Sequence, residues 1–320
     1  HYVADNVNDF AWATAEKFVW QAKRATIPEK GPIPIHMFFI PERAHLFENA
    51  GSISRHALES GRIRRPAVAG SFYPSGAPAL RSAIADCARR AAPVHPPGRP
   101  KALVAPHAGY MYSGPVAATA YGSLNPWRDE IRKVVLLGPS HHVAFRGLAT
   151  SSAEYFLTPL GPVPLDLGAI LTLQELPFVR CRDDAHAAEH SLEVHLPFLQ
   201  ECLDEFRIVP LVVGEAKPTE VAAALDRVWG EDETLIVVST DLSHYHAYDT
   251  ACAVDAETGE AIVRLDPGRI DGQRACGFRA LNGLLTAASE RGLSVTALDE
   301  RNSGDTAGDR RRVVGYGAYA

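Results

Sequence analysis

Apolar residues occur along this chain in short uninterrupted runs, separated by polar or proline-containing segments. The clearest runs are Ala102–Ala105 (ALVA), Val134–Leu137 (VVLL), Arg207–Val213 (RIVPLVV) and Leu235–Ser239 (LIVVS). Continuous apolar runs of about four to eight residues are typical of strands that are buried on both faces, as in a parallel sheet. The pattern therefore predicts a central sheet that is mostly parallel.

Segments with helical spacing of apolar residues lie between and after these runs. Ala77–Ala91, for example, places Leu80, Ile84 and Cys87 on one face with charged residues between them. Three later segments, residues 219–229, 251–265 and 273–291, are also predicted to be mainly helical. Strands that alternate with helices indicate an α/β fold, with helices flanking the sheet.

Three of the apolar runs are each followed closely by histidine. His107 follows the run that ends at Ala105, and His141 and His142 follow the run that ends at Leu137. Asp241 and His244 follow the run that ends at Ser239. In an open α/β sheet, ligands bind beyond the carboxyl ends of the strands. If the strands are parallel, these histidines converge at one edge of the sheet. The sequence therefore predicts a shared polar or metal site, although any single histidine could be an ordinary loop residue.

A second concentration of ionisable residues lies in Glu189–His195 (EHSLEVH). The spacing of this motif does not match the HxxEH motif of inverted zinc peptidases. We expect His190, Glu193 and His195 to orient the metal ligands from behind or to bind substrate. An ordinary charged helix start is the alternative for this stretch.

The cysteines are scattered, odd in number and without a CxxC pair, which is typical of a reduced, cytoplasmic protein. Cys276 differs from the others because it lies between the small residues Ala275 and Gly277 near the start of a predicted helix. A helix dipole favours a thiolate at that position. The cysteines are Cys87, Cys181, Cys202, Cys252 and Cys276.

Composition and charge narrow the class of protein. The chain has 320 residues, of which 46% are hydrophobic, and a formal net charge of −6. It lacks the basic patch of a nucleic-acid-binding protein. It also lacks an apolar run near the roughly 20 residues of a membrane span, and its first residues do not form a signal-peptide pattern. We expect a cytoplasmic protein that binds neither nucleic acid nor membrane.

Residues 1–60 differ from the rest of the chain. The runs Asp5–Lys23 and Met37–Gly51 resemble the segment that precedes the zinc motif in aminopeptidase-N-type metallopeptidases. No His-Glu dipeptide occurs in this chain, so the HExxH motif of that family is lacking and peptidase chemistry is not implied. We interpret residues 1–62 as a truncated metallopeptidase-like fragment and residues 63–320 as a second domain.

Six motifs in one order cover the second domain. Together they resemble the Memo family, whose bacterial members are called AmmeMemoRadiSam system protein B. The resemblance implies an α/β fold similar to class III extradiol dioxygenases, which are non-haem iron enzymes. The motifs are AGSFYP (Ala69–Pro74), APHAGYMYSG (Ala105–Gly114), LLGPSHH (Leu136–His142), EHSLEVHLPF (Glu189–Phe198), STDLSH (Ser239–His244) and ACGFRA (Ala275–Ala280).

The resemblance implies a metal site on His107, His141 and Cys276. Asp241 and His244 would lie beside it as acid–base or orienting groups. Two imidazoles and a thiolate suit iron or copper, and the sulfur favours copper(I). We therefore expect one ion of iron or copper.

The same resemblance places His142 behind the ligands. The family name also implies association with radical-SAM and AMMECR-type proteins. Our leading hypothesis is a Memo-like metal-binding protein with a redox or oxygen-related function on a small molecule or peptide.

Two alternatives stay open at this point. An extradiol-type dioxygenase would need a carboxylate, from Asp241 or Glu193, in place of Cys276. A non-catalytic peptide- or metal-binding protein would use the cleft without turnover. Whether the chain is an oxidoreductase is left open by the sequence.

Overall fold

The computed structural model describes residues 19–27, 31–39, 62–94 and 96–320. The chain divides into two compact units, His1–Glu59 and Ser60–Ala320. In the first unit, β1 (Val19–Ile27) and β2 (Gly31–Phe39) pair as an antiparallel hairpin. The prediction of a truncated metallopeptidase-like fragment concerns residues that lie mostly outside the described part of the chain.

The second unit alternates strands with helices. Its strands are β3 (Ile63–Arg64), β4 (Ala102–Ala105), β5 (Lys133–Pro139), β6 (Leu148–Thr150), β7 (Tyr155–Thr158), β8 (Gly161–Pro164), β9 (Val179–Cys181), β10 (Arg207–Val213), β11 (Thr234–Ser239), β12 (His244–His246), β13 (Ala297–Asn302) and β14 (Val313–Tyr319). Its α-helices are α1 (Ala77–Arg89), α2 (Tyr110–Gly122), α3 (Leu167–Gln174), α4 (Asp183–Ala187), α5 (Leu196–Cys202), α6 (Pro218–Val228), α7 (Tyr248–Val263), α8 (Phe278–Glu290) and α9 (Ser303–Thr306). Short 3-10 helices cover Asn125–Trp127, Glu193–His195 and Pro267–Arg269.

The predicted buried strands form the centre of a large sheet. β4, β11, β5 and β10 lie side by side in this order, and all three pairs are parallel. Val134–Leu137 in β5 have no exposed surface. These strands are apolar throughout because helices and neighbouring elements cover both faces of the sheet.

The sheet as a whole is mixed, so the prediction of a mostly parallel sheet is wrong. β14 is antiparallel to β4, β12 and β13, and β6 is antiparallel to β10. The connection between β5 and β6 covers only residues 140–147. A parallel crossover needs a dozen or more residues, so this short connection returns β6 in the opposite direction.

A separate three-stranded sheet consists of β3, β7 and β8. β3 is parallel to β7, and β7 is antiparallel to β8. This sheet places Arg64, at the end of β3, in a buried position.

No helix within residues 62–94 and 96–320 is long and apolar enough to cross a membrane.

Candidate metal centre

The side chains of His107, His141 and His190 come together at the edge of the sheet where β4 and β5 end; we call this group the histidine cluster. One ring nitrogen from each lies within 4.8 Å of the other two. The ring centroids of His141 and His190 are 4.5 Å apart, and that of His107 is 5.1 Å from His141 and 5.5 Å from His190. His107 is buried, whereas the His141 side chain is 30% exposed. The cluster is therefore open to solvent on the His141 side.

Cys276 lies against the buried member of the cluster. Its Sγ atom is 3.3 Å from Nε2 of His107, and the backbone N–H of Asp241 donates a hydrogen bond to the same sulfur at 3.3 Å. Burial, followed by the charge of Asp241, raises the pKa of the Cys276 thiol to about 12. The structure therefore does not favour the thiolate that the sequence predicts at Cys276. The sulfur is buried, and α8 begins only at Phe278, two residues further along the chain. A thiolate forms at this position when a cation lies next to the sulfur.

Gly277 determines how closely the sulfur approaches the sheet. A Cβ atom at this position would lie 2.4 Å from the carbonyl oxygen of Ser239 and 2.7 Å from Cβ of Thr240. The Gly277 N–H donates to the Thr240 hydroxyl at 2.8 Å. Only glycine fits between these atoms, and its presence lets Cys276 pack against the end of β11.

Ser239 fixes the tautomer of His107. Nδ1 of His107 is 2.6 Å from the Ser239 hydroxyl, which in turn lies 2.6 Å from the carbonyl oxygen of Ser191. A serine hydroxyl has one proton, and that carbonyl can only accept it. Nδ1 of His107 must then carry the hydrogen that Ser239 accepts. The lone pair of Nε2 is left free to bind a ligand.

Glu189 performs the corresponding role for His141. Its Oε1 atom is 2.9 Å from Nδ1 of His141, and its Oε2 atom accepts the His141 N–H at 2.6 Å. Burial alone would raise the pKa of Glu189, but the hydrogen bonds from His141 and Ser191 bring it down to about 2. The carboxylate is thus ionised and accepts the Nδ1 hydrogen, which leaves Nε2 of His141 free to bind a ligand.

Two imidazoles of the cluster, His107 and His190, favour their neutral form because their pKa values are lowered. Burial, reinforced by the charge of His141, lowers the pKa of His190 to about 4. Burial also lowers the pKa of His107 well below its usual value. Neutral imidazole is the form that binds metal ions, so the cluster is ready to bind a cation at neutral pH.

Asp241 and His244 follow the end of β11. Asp241 is buried, and its Oδ1 atom accepts N–H hydrogen bonds from His107 at 2.8 Å and Ala108 at 3.3 Å. Burial raises the pKa of Asp241 to about 6, although the charge of His244 acts in the opposite direction. Asp241 therefore ties the loop that carries His107 to the end of β11.

The hydrogen-bond partners of the Glu193 carboxylate are residues outside the histidine cluster. Its carboxylate accepts hydrogen bonds from the guanidinium of Arg64, the backbone N–H groups of Ala67 (2.7 Å) and Val68 (3.0 Å), and the Tyr73 hydroxyl (2.5 Å). Arg64 also donates to the carbonyl oxygens of His186 and Glu189. Glu193 fastens residues 64–73 to the main body of the unit, rather than orienting a cluster histidine.

The other two positions expected behind the ligands are His195 and His142. Nδ1 of the fully buried His195 is 2.8 Å from the Tyr121 hydroxyl, and burial lowers its pKa to about 3. His142 is exposed, with its ring centroid 6.1 Å from that of His190. The structure thus brings His190 into the cluster itself. His195 instead contacts Tyr121, and His142 is exposed.

Two residues that hold the cluster together escape the sequence reasoning. Glu189 directly precedes His190, and Ser239 is the last residue of β11. The sequence signal for them is that each begins one of the six motifs of the family resemblance, EHSLEVHLPF and STDLSH. Imidazole nitrogens with a nearby sulfur are donors for iron, copper or zinc, so the residues present fit a transition-metal ion.

Comparisons with known proteins agree with this assembly of motifs. Residues 64–320 match the family described as Memo-like protein. A MEMO1 family protein of Methanothermobacter thermautotrophicus is 37% identical over 277 residues, covering 79% of this chain and 98% of that protein. A MEMO1 family protein of Thermotoga maritima is 36% identical, covering 79% of this chain and 97% of that protein. One from Aquifex aeolicus is 37% identical, with 80% and 97% covered.

A solved structure of an uncharacterized protein from Escherichia coli K12 aligns with a TM-score of 0.46 and 13% identity, covering 69% of this chain and 99% of that one. That level of likeness carries no argument, and the similarity to extradiol dioxygenases stays a prediction. These matches give no support to the metallopeptidase resemblance of the first residues. They do confirm the resemblance of the second domain: the chain belongs to the Memo-like protein family.

Proposed function

We propose that this chain binds one ion of iron or copper through the histidine cluster and Cys276, and that it carries out a redox or oxygen-related reaction on a small molecule or peptide. The observation that carries the proposal is the convergence of three imidazole nitrogens within 4.8 Å. The ligands His107, His141 and Cys276 come from the family resemblance. His190 is added because its ring lies in the same group.

The donor set supports this choice of ion. Imidazole nitrogen suits iron and copper, and sulfur favours a softer ion such as copper(I). When bound, such an ion would supply one-electron redox chemistry at a position that solvent reaches beside His141. The protein contributes the orientation of the imidazoles, through Glu189 and Ser239.

We assign proton transfer to Asp241 and His244. Asp241 is buried beside His107, and its pKa of about 6 lets it gain and lose a proton near neutral pH. His244 is half-buried at the start of β12, where its charge acts on Asp241. The pair can therefore accept and return a proton next to the cluster.

The alternatives have less support. An extradiol dioxygenase needs a carboxylate ligand, but Glu193 already binds Arg64, two backbone N–H groups and Tyr73. Asp241 uses one oxygen on backbone N–H groups. A non-catalytic binding protein predicts a closed site that is ligated fully by the protein, whereas the histidine cluster is open to solvent at His141. Radical-SAM and AMMECR-type partners and a cytoplasmic location enter the proposal on the family resemblance and the sequence alone.

The test is metal analysis of purified protein loaded with iron(II) or copper(I) without oxygen. We expect a single ion per chain in the wild type and in the control His246→Ala, whose side chain lies outside the cluster. His107→Ala, His141→Ala and His190→Ala should each lose most of the metal. Cys276→Ser should keep its fold but lose sulfur-to-metal charge-transfer absorption. Unchanged metal content in all four variants would contradict the proposal.

A further inference from the structure

A cavity of about 470 Å³ lies next to Cys276. Its wall is formed by residues 139–140 and 143–146 after β5, by residues 213–215 at the end of β10, and by residues 276–277 and 279–280. Cys276 in this wall is the residue whose sulfur touches His107, and Ser140 directly precedes His141. A molecule in the cavity would therefore lie beside the histidine cluster. The volume is within the usual range of small-molecule sites.

The cavity wall contains two guanidinium groups and one carboxylate. Arg146 is 3.7 Å from the carboxylate of Glu215, and both side chains are largely exposed. Arg279 is half-buried and lies over the Phe278 ring, with its Cζ atom 4.5 Å from the ring centroid. Within residues 62–94 and 96–320, no carboxylate oxygen lies within the 4.0 Å ion-pair distance of the Arg279 guanidinium. Arg279 is thus a half-buried cation for which the described part of the chain provides no carboxylate partner.

A half-buried guanidinium of this kind is available to pair with an anion. The wall also includes the apolar side chains of Val143, Phe145 and Val213. The cavity thus offers a positive charge at Arg279 together with apolar contact.

We propose that the cavity binds a small, mainly apolar molecule that carries one carboxylate. The carboxylate binds Arg279, and the body packs on Val143, Phe145 and Val213 beside Cys276. This inference deepens the proposed function, on which it rests, by naming the class of substrate. Arg279 becomes a residue that determines specificity.

The charges favour a carboxylate over a phosphate. Arg146 and Glu215 neutralise each other, which leaves one positive charge in the wall. A monoanion balances that charge, whereas a phosphate dianion would bring an unbalanced charge close to Glu215. The planar guanidinium also matches the two oxygens of a carboxylate.

The experiment measures binding of 4-phenylbutyrate by calorimetry, to chelator-treated and to metal-loaded protein. The uncharged 4-phenylbutyramide and the dianion phenyl phosphate serve as comparison ligands. The variants are Arg279→Gln and Arg279→Lys. Arg264→Gln is the matched control, since Arg264 directly follows α7 and pairs with Glu260 outside the cavity. Metal content and circular dichroism confirm that each variant is folded.

We expect wild type and Arg264→Gln to bind 4-phenylbutyrate equally. Arg279→Gln should bind it about 10- to 100-fold more weakly, as expected for loss of a charged hydrogen bond. Arg279→Lys should fall between them because it keeps the charge but not the planar fork. The amide and phenyl phosphate should bind wild type at least about 10-fold more weakly than the carboxylate.

Three results would overturn the inference: no saturable binding of 4-phenylbutyrate, equal affinity in Arg279→Gln, or tighter binding of the amide or of phenyl phosphate. The two proposals fail separately. Protein that holds no metal but binds 4-phenylbutyrate through Arg279 would refute the metal function and keep the carboxylate site. Protein that holds metal but binds the probe independently of Arg279 would refute only the carboxylate site.

Discussion

The region around Glu189 and the region around Glu193 are each built on a buried carboxylate from the same short stretch of chain. Glu189 accepts hydrogen bonds from His141, His190 and Ser191. Glu193 accepts hydrogen bonds from Arg64, two backbone N–H groups and Tyr73. Both groups are saturated, so hydrogen-bond count alone does not distinguish a functional carboxylate from a structural one.

The difference lies in what their partners can still do. The main partner of Glu193 is Arg64, a buried cation whose side chain is only 6% exposed. The main side-chain partner of Glu189 is His141, whose ring keeps a free nitrogen and is 30% exposed. Under the proposed function, Glu189 acts on the site because the group it orients is open to solvent, whereas Glu193 contributes to stability because its partner is itself enclosed.

The largest effect is expected at Glu193. Glu193→Ala leaves the Arg64 guanidinium buried without a counter-ion, which should lower the free energy of unfolding by about 3–5 kcal/mol. Urea unfolding measures this loss, and Tyr73→Phe, which removes one neutral donor, should cost only about 1 kcal/mol. Metal content per folded chain should stay at the wild-type value. A Glu193→Ala protein of normal stability that had lost its metal would reverse the comparison.

A smaller effect, on metal affinity, is expected at Glu189. Glu189→Gln keeps the shape of the side chain but removes the charge that holds the Nδ1 hydrogen of His141. Metal affinity should fall about 10- to 100-fold, as for other groups that orient ligands. Competition with a chelator of known affinity measures this. Should Glu189→Gln lose as much stability as Glu193→Ala while binding metal normally, the two regions would not differ as described.

Ser239 orients His107 as Glu189 orients His141, but it is a neutral group. Ser239→Ala removes the acceptor for Nδ1 of His107, so the imidazole is free to change tautomer. We expect the affinity for metal to fall by about 10-fold, at the lower end of the range for Glu189 because no charge is lost. The same chelator competition applies, with Ser71→Ala, an exposed serine outside the cluster, as the control. Equal losses in the serine and glutamate variants would show that charge at Glu189 is unimportant.

The smallest effect is a pH dependence on the Glu193 side. Burial lowers the pKa of His186, whose carbonyl oxygen binds Arg64, from 6.5 to about 4. The unfolded chain then binds a proton before the folded one, so stability is complete above pH 6.5 and is lost as pH falls toward 4. Between pH 6.5 and 5.5 the loss from this group is about 1 kcal/mol. Urea unfolding of wild type and His186→Gln at both pH values isolates it; equal losses in the two proteins would exclude His186 as the source.

Much of the site was accessible from sequence because apolar runs identify buried strands. Val134–Leu137 predicts β5, and its position predicts that His141 lies at the edge of the sheet. The direction of β6 and β14 could not be predicted in this way, because the spacing of apolar residues is the same in parallel and antiparallel strands. For β6, the short connection after β5 is the feature that indicates an antiparallel direction.

The stretch from Glu189 to His195 shows a second limit. An ordinary charged helix start is the alternative interpretation of this stretch from sequence, but the chain forms a 3-10 turn over Glu193–His195 before α5 begins. That turn directs His190 into the cluster and Glu193 toward Arg64, which is 129 residues away in sequence. When the partner of a buried carboxylate is this far away in sequence, tertiary packing determines which residue it is, and the local sequence pattern does not predict it.

Cys276 and His107 touch across 169 residues of sequence. The two residues come close only when the segment that carries Cys276 packs on the end of β11, where the Gly277 N–H donates to Thr240. Domains fold as units, and a contact between residues this far apart in sequence forms only once the unit has folded. The proximity of this sulfur to this imidazole therefore reports completed folding of the unit.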